Sequence, residues 1–200
     1  LKQTTVAAVV PYFVNFMKKF PTVKKLAEAH EQDVLKAWAG LGYYSRARNL
    51  HKAARMMVLE KKFPKTFPQT KEQWLEVPGV GPYTAGAITS IALNHPEPIL
   101  DGNVERMLAR MNRLEMSSEY KKNLWALSDQ AVKRAHSLGV LPGDFNQALM
   151  ELGATVCTPK NPSCHECPIQ KNCQAFKKQQ VALYPPRKKP KEWIHLKETA

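Results

Sequence analysis

No apolar run in these 200 residues approaches the roughly 18 to 20 that a membrane span requires. The opening LKQTTVAAVV has neither the basic start nor the long apolar centre of a secretion signal, so a soluble, intracellular chain is expected. Strand-like alternation is missing throughout, and no internal repeat recurs at a fixed period. Cysteine is absent outside one short stretch near the C-terminal end. Acid is scarce, with 17 Asp and Glu against 30 Lys and Arg. There is no methionine ahead of Leu1, and no packed pattern follows ALYPPRKKPKEWIHLKETA, so both ends read as cut. What remains is globular in composition: 44% hydrophobic, 24% charged and 8% aromatic, which excludes a disordered or fibrous chain. The length suffices for one or two domains.

The formal charge of +13 is concentrated toward both ends of the chain. A surface that basic fits a polyanion such as DNA or RNA, held through phosphate contacts and counterion release. An acidic membrane surface is the competing partner, and the tail PPRKKPK reads equally as a solvated linker.

Apolar positions recur at helical spacing nearly everywhere, and the fold class expected is all-α, a bundle of short helices with short links. Val6, Val9, Val10, Phe13, Phe16 and Met17 fall on one predicted face, and Thr22 is placed to cap a short helix carrying Val23, Leu26 and Ala27. Val34, Leu35 and Trp38 continue until Gly40 and Gly42 stop the pattern. A helix over about 45–59 is expected to bury Leu50, Ala53, Ala54, Met57 and Val58. KKFPKTFPQT is a loop, after which Thr70 and Gln73 have capping-box spacing.

Between two helical patterns stands LEVPGVGPYTAGAITSIAL. Gly79 and Gly81 permit positive φ and close approach of another backbone, Pro78 and Pro82 fix the entry and the restart, and Ala85, Ala87, Ile88 and Ile91 form the packed face of the next helix. This is a helix–hairpin–helix. Amides at the start of its second helix suit a phosphate without reading sequence, although a purely structural turn has the same glycine spacing.

All four cysteines lie in CTPKNPSCHECPIQKNC, as Cys157, Cys164, Cys167 and Cys173. For an intracellular chain, clustered thiols favour a metal over disulfides. Zinc and an iron–sulfur cluster both use four thiolates, and the spacing leaves the two open.

Taken together, VPGVGPYTAGA, ILDGNVERMLAR and the cysteine run resemble the helix–hairpin–helix DNA glycosylase superfamily with an endonuclease III-like iron–sulfur loop. Within it, LKQTTVAAVVPYF, GLGYYSRARNLHKAA and FNQALMELGATVCT look like the MutY-type adenine DNA glycosylases, over Leu1 to about Phe176. The resemblance implies two helical lobes with DNA and a flipped base at the cleft between them: a six-helix lobe over 1–98, a cluster lobe over 99–177, and a basic linker over 178–200 toward a Nudix-like domain that is not in the sequence. It implies a [4Fe–4S] cluster on the four cysteines, and a monomer acting on double-stranded DNA with adenine opposite 8-oxoguanine or guanine, in the bacterial cytoplasm or a eukaryotic nucleus or mitochondrion.

Residue roles follow from the same resemblance. Tyr83 stands where the lyase branch of the superfamily has a Schiff-base lysine, which implies a monofunctional hydrolase. Asp101, by itself an Asp-Gly-Asn turn and helix cap, falls where the family places a carboxylate beside the deoxyribose to stabilise developing positive charge, with Asn103 orienting it. Gln3, with Thr4 beside it, matches a glutamine inserted into the base stack, Tyr43 a wedge beside the damaged guanine, and Gln147 a contact to the flipped adenine. Gly79, Val80 and Gly81 are the phosphate-holding hairpin. The glutamate that protonates adenine in the family pattern falls upstream of Leu1, and no residue here takes its place. A non-catalytic DNA-binding fragment or lesion sensor is therefore the rival reading.

Overall fold

The computed structural model describes residues 6–63 and 67–186. Among the described residues all regular structure is helical: α1 (Val6–Lys19), α2 (Val23–Glu28), α3 (Glu31–Trp38), α4 (Tyr44–Val58), α5 (Lys71–Leu75), α6 (Pro82–Ala92), α7 (Gly102–Asn112), α8 (Tyr120–Ser137), α9 (Pro142–Thr155) and α10 (Gln174–Lys177), with three single turns of 3-10 helix in the C-terminal part. None of these helices is long and apolar enough to cross a membrane. The chain divides into two compact units, Leu1–Thr89 and Ser90–Ala200.

In the first unit, α4 packs on α2 and α3, and α1 on α3. Phe20, Leu26, Ala27, Val34, Ala47 and Ala54 form the core, with Phe16 and Trp38 packed against it. Burying a side chain of the size of Phe20 or Leu26 stabilises by about 2 kcal/mol. Thr22 caps α2 by accepting from the Lys25 amide, as the sequence predicts. Thr70 caps α5 in the same way, accepting from the Gln73 amide, while the Gln73 side chain reaches back to the amide of Gln69, one residue short of the reciprocal capping box.

Three expected faces are corrected. In α1 the inward stripe is Val9, Tyr12, Phe16 and then Phe20, at helical spacing, whereas Val10, Phe13 and Met17 are exposed, Phe13 at 61%. Rotation follows from the ring contacts, since Phe16 lies 5.0 Å from Phe20 and 6.0 Å from Trp38, centroid to centroid. In α4 the buried row is Ala47, His51 and Ala54, so Leu50 turns outward and a histidine takes the inward place. At the end of α6, Thr89 and Ser90 are buried and Ile91 is exposed. The Thr89 hydroxyl donates to Ala85 O at 2.8 Å, which removes the cost of burying it.

In the second unit, α7 packs against α8, α9 and α10, and α8 against α9. Packing continues past Phe176 into the stretch expected to be linker: Tyr184 is buried, its carbonyl accepts from Arg110 Nε at 3.0 Å, and its hydroxyl meets Glu115 Oε1 at 2.5 Å. A basic tail composition does not betray this, because the anchoring is done by one tyrosine ahead of the lysines.

Candidate functional site

The hairpin stands on a small core of Ala53, Met57, Phe63 and Val77, against which Trp74 and Val80 also pack. Val77 and Val80 point inward, and the backbone between them is left to form the outward turn, closed by Val80 N to Val77 O at 3.1 Å. Only the first glycine has the expected conformation. Gly79 has φ +80°, and a Cβ there would lie 2.7 Å from Asn49 Nδ2. Gly81 is not in the left-handed region, and a Cβ there would meet nothing within 4 Å. The first bond of the α6 ladder runs from Ala85 N to Gly81 O, so the amides of Gly81 and Thr84 precede it, and Pro82 has none to offer. Tyr83 lies in that first turn, half-buried.

These two glycines differ in a testable way. Gly79→Ala is expected to destabilise the fold by about 1–3 kcal/mol, from left-handed strain and the Asn49 clash. Gly81→Ala is expected to shift the thermal midpoint by no more than a degree or two. If the hairpin holds phosphate, as the resemblance implies, Gly81→Asp should weaken binding to every duplex alike, because it sets a negative charge against that phosphate. Thermal melts and fluorescence titrations with unrelated duplexes separate the two effects, and unaltered affinity in folded Gly81→Asp would remove the hairpin from the interface.

Tyr43 heads α4 from a tight turn in which Gly40, Gly42 and Tyr43 have φ of 94°, 69° and 47°. Trp38 Nε1 fixes the turn by donating to Gly42 O at 3.0 Å, and Gly40 leaves room for the Tyr12 ring, whose hydroxyl the missing Cβ would strike. A tyrosine held in the left-handed region with 59% of its surface exposed is strained and unburied. Packing does not explain it. Gln3 and Thr4, expected on the same DNA-facing surface, lie outside the described residues.

Asp101 is the N-cap of α7. Its Oδ1 accepts from the amides of Asn103 at 2.9 Å and Val104 at 2.8 Å, and Asn103 Nδ2 stands 3.5 Å from Oδ2. The cap and the oriented carboxylate are thus one arrangement. Asn103 is itself held: Arg106 Nη2 donates to its Oδ1 at 2.9 Å, and Gly153 of α9 packs so closely that a Cβ there would lie 2.7 Å from Asn103 Cβ. Gln147, also on α9, is exposed and returns its amide to Gly143 O at 3.1 Å.

Arg106 continues inward, giving Nη2 to Gly153 O at 2.6 Å and Nε to Cys157 O at 2.7 Å. Burial lowers its pKa, and the neighbouring Cys157 pushes it back up, as Asp101 does to a smaller extent. Arg110, one turn on and 3% exposed, donates Nη1 to Thr158 O at 2.8 Å and to Cys157 Sγ at 3.4 Å, and Nη2 to Pro159 O at 3.3 Å. Two buried guanidiniums therefore run from the Asp101–Asn103 pair to the cysteine loop. The sequence reading missed both, along with Gly153 and Asn49. The available signal was arginine at i and i+4 on the apolar face of VERMLAR.

The four thiols line one cavity of about 30 Å³, walled otherwise by Arg110, Val156, Pro162, Gln170, Phe176 and Val181. Burial pushes the Cys164 thiol up, Cys157 and Cys173 push it the same way, and Arg110 draws it down. Thiolates in one another's fields need a cationic centre among them. Four thiols lining one cavity fit the donor set of an iron–sulfur cluster. The open groove beside it, about 1010 Å³, belongs to the cysteine loop and not to Asp101; Lys160, Lys171 and Lys177 border it without any acidic neighbour in its lining.

Residues 1–130 match the family described as HhH-GPD superfamily base excision DNA repair protein, and 157–173 match the iron–sulfur binding domain of endonuclease III. The human adenine DNA glycosylase is 47% identical over 180 residues, 88% of this chain and 32% of the relative. That of Buchnera aphidicola from Schizaphis graminum is 39% identical over 194 residues, 96% of this chain and 54% of the relative. The chain thus spans a third to about half the length of these relatives. Among solved structures, a thermostable thymine-DNA glycosylase superposes with TM-score 0.71 at 24% identity, covering 88% of this chain and 79% of the other. A non-covalent endonuclease III–DNA complex gives 0.70 at 22%, with the same coverage. At that identity the superpositions speak for the fold.

Proposed function

The chain belongs to the HhH-GPD superfamily of base excision DNA repair proteins and its cysteine loop holds a [4Fe–4S] cluster, and from there we propose that it is the catalytic region of a monofunctional adenine DNA glycosylase, acting on adenine opposite 8-oxoguanine or guanine in double-stranded DNA. The observation that carries the reading is the Asp101 carboxylate, fixed by two backbone amides and flanked by an Asn103 that is itself pinned. An ionised group held in one orientation costs no reorganisation when charge develops next to it, and breaking an N-glycosidic bond develops positive charge on the sugar.

Other residues serve binding and extrusion. The Gly81 and α6 amides hold a phosphate, the exposed Tyr43 ring fills space beside the lesion, and the Gln147 amide offers one donor and one acceptor to the edge of adenine. The 1–98 and 99–177 lobes of the sequence reading, and a monomeric state, are part of this proposal. The cluster ties the loop that receives Arg106 and Arg110, and no chemical step passes through it.

Tyr83 supplies no amine, so water is the nucleophile and the strand stays intact. With a duplex carrying a preformed abasic site, borohydride is expected to trap no protein–DNA adduct and the strand to remain uncleaved. A trapped adduct mapped to a lysine of this chain contradicts the monofunctional reading. This test needs no base release, so it does not depend on the general acid.

A further inference from the structure

Residues 93–100 join α6 to Asp101 without helix, and Pro96 and Pro98 remove two amide donors from that stretch. Where such a segment goes inward, as at Pro98 and Ile99, it has no ladder for its carbonyls, which must find side-chain partners. Two come from different helices. Ser128 on α8 donates its hydroxyl to Ile99 O at 2.7 Å, and Asn146 on α9 donates Nδ2 to Glu97 O at 2.9 Å. Both side chains are 0% exposed, as is Ile99, whose carbonyl lies two residues ahead of Asp101. Near the start of α9, Gly143 permits contact with the chain just ahead of the segment, since a Cβ there would lie 2.9 Å from Ser90 O. Asn146 Oδ1 is buried without a protein partner. A residue there for packing alone would be apolar, because an unpaired buried acceptor is costly. The bond to Glu97 O is what the asparagine contributes.

We propose that Ser128 and Asn146 are positioning residues: they fix the register of the segment that delivers Asp101, and through it the aim of the carboxylate. Asn146 adjoins Gln147, so one residue ties the base-reading amide on α9 to the sugar-side carboxylate at the head of α7. The catalytic part of this rests on the proposed glycosylase reading. The clamp itself does not.

The test uses Ser128→Ala, with Asn146→Ala cutting the same segment at Glu97 O, so that loss of folding in one leaves the other to decide. Amide hydrogen exchange is read at Asn103 and Val104, the two donors to Asp101 Oδ1, against Val132 in the buried face of α8. Affinity is read for duplexes carrying a protonated pyrrolidine or a neutral tetrahydrofuran at the abasic position, the first resembling the sugar cation. Exchange at 103 and 104 is expected to rise about tenfold with Val132 unchanged, and preference for the cationic duplex to fall about tenfold with neutral-duplex affinity kept. Combining Ser128→Ala with Asp101→Asn should add no further loss of preference. Unchanged exchange at 103 and 104 overturns the clamp. Faster exchange with the cation preference intact overturns its role in aiming the carboxylate. If the parent protein shows no Asp101-dependent preference, the glycosylase role of Asp101 fails first and the aiming role with it, while the exchange arm still reads the clamp.

Discussion

Asp101→Asn is expected to leave duplex binding within about twofold and to slow base release by on the order of 100-fold or more in single-turnover assays, with the chain extended upstream over the stretch where the resemblance places the general acid. The structure makes this substitution unusually clean. Asp101 caps α7 through Oδ1, which accepts from Asn103 N and Val104 N. Asparagine keeps that oxygen and ranks with aspartate as a cap, so helix stability changes little. On the proposed reading, what it removes is the negative charge beside the developing sugar cation. Equal rates for the two forms return Asp101 to a capping role and leave the cation without a partner in this chain.

Arg110→Met is expected to destabilise the second unit by about 3 kcal/mol and to release the cluster during purification. The carbonyls of Cys157, Thr158, Pro159 and Tyr184 all accept from this one guanidinium. Removing it leaves the Thr158 and Tyr184 carbonyls unpaired, at about 1–3 kcal/mol each, while Cys157 O keeps Arg106 Nε and Pro159 is open to water; the loss is offset in part because a buried charge is no longer desolvated. Arg110→Lys keeps the charge but not the planar fork, and an intermediate loss is expected. Iron content, visible absorbance and the thermal midpoint report the outcome. Full iron loading at an unshifted midpoint in Arg110→Met would show that the loop holds itself.

Local signals were legible in the sequence where one residue decides an element. Thr22 and Thr70 cap the helices predicted for them, Pro82 restarts the chain as α6, and Asp101 caps α7. Facings were less legible. Hydrophobicity favours Leu50 over His51 and Ile91 over Ser90, yet the helical period set by Ala47 and Ala54, and by Ala85 and Thr89, puts the polar residue inside. Motifs recovered the chemistry and missed its support. Nothing in DGNVERMLAR states that Arg106 and Arg110 will find the carbonyls of a loop some fifty residues on, because a hydrogen-bond network is a property of the packed chain. Glycine permits positive φ at both hairpin positions, but only Gly79 uses it; Gly81 has ordinary backbone and open space outside it.

Adenine release tests the central claim most directly. This chain, and the same chain extended upstream by a few tens of residues, are given duplexes that differ only in the base opposite 8-oxoguanine, under single-turnover conditions, and the freed base is identified by chromatography. The extended chain is expected to release adenine and no other base and to leave an uncleaved abasic strand, and the chain beginning at Leu1 to bind the same duplex. If both bind the duplex and neither frees adenine, the protein is a lesion-binding fragment, and the glycosylase account is contradicted.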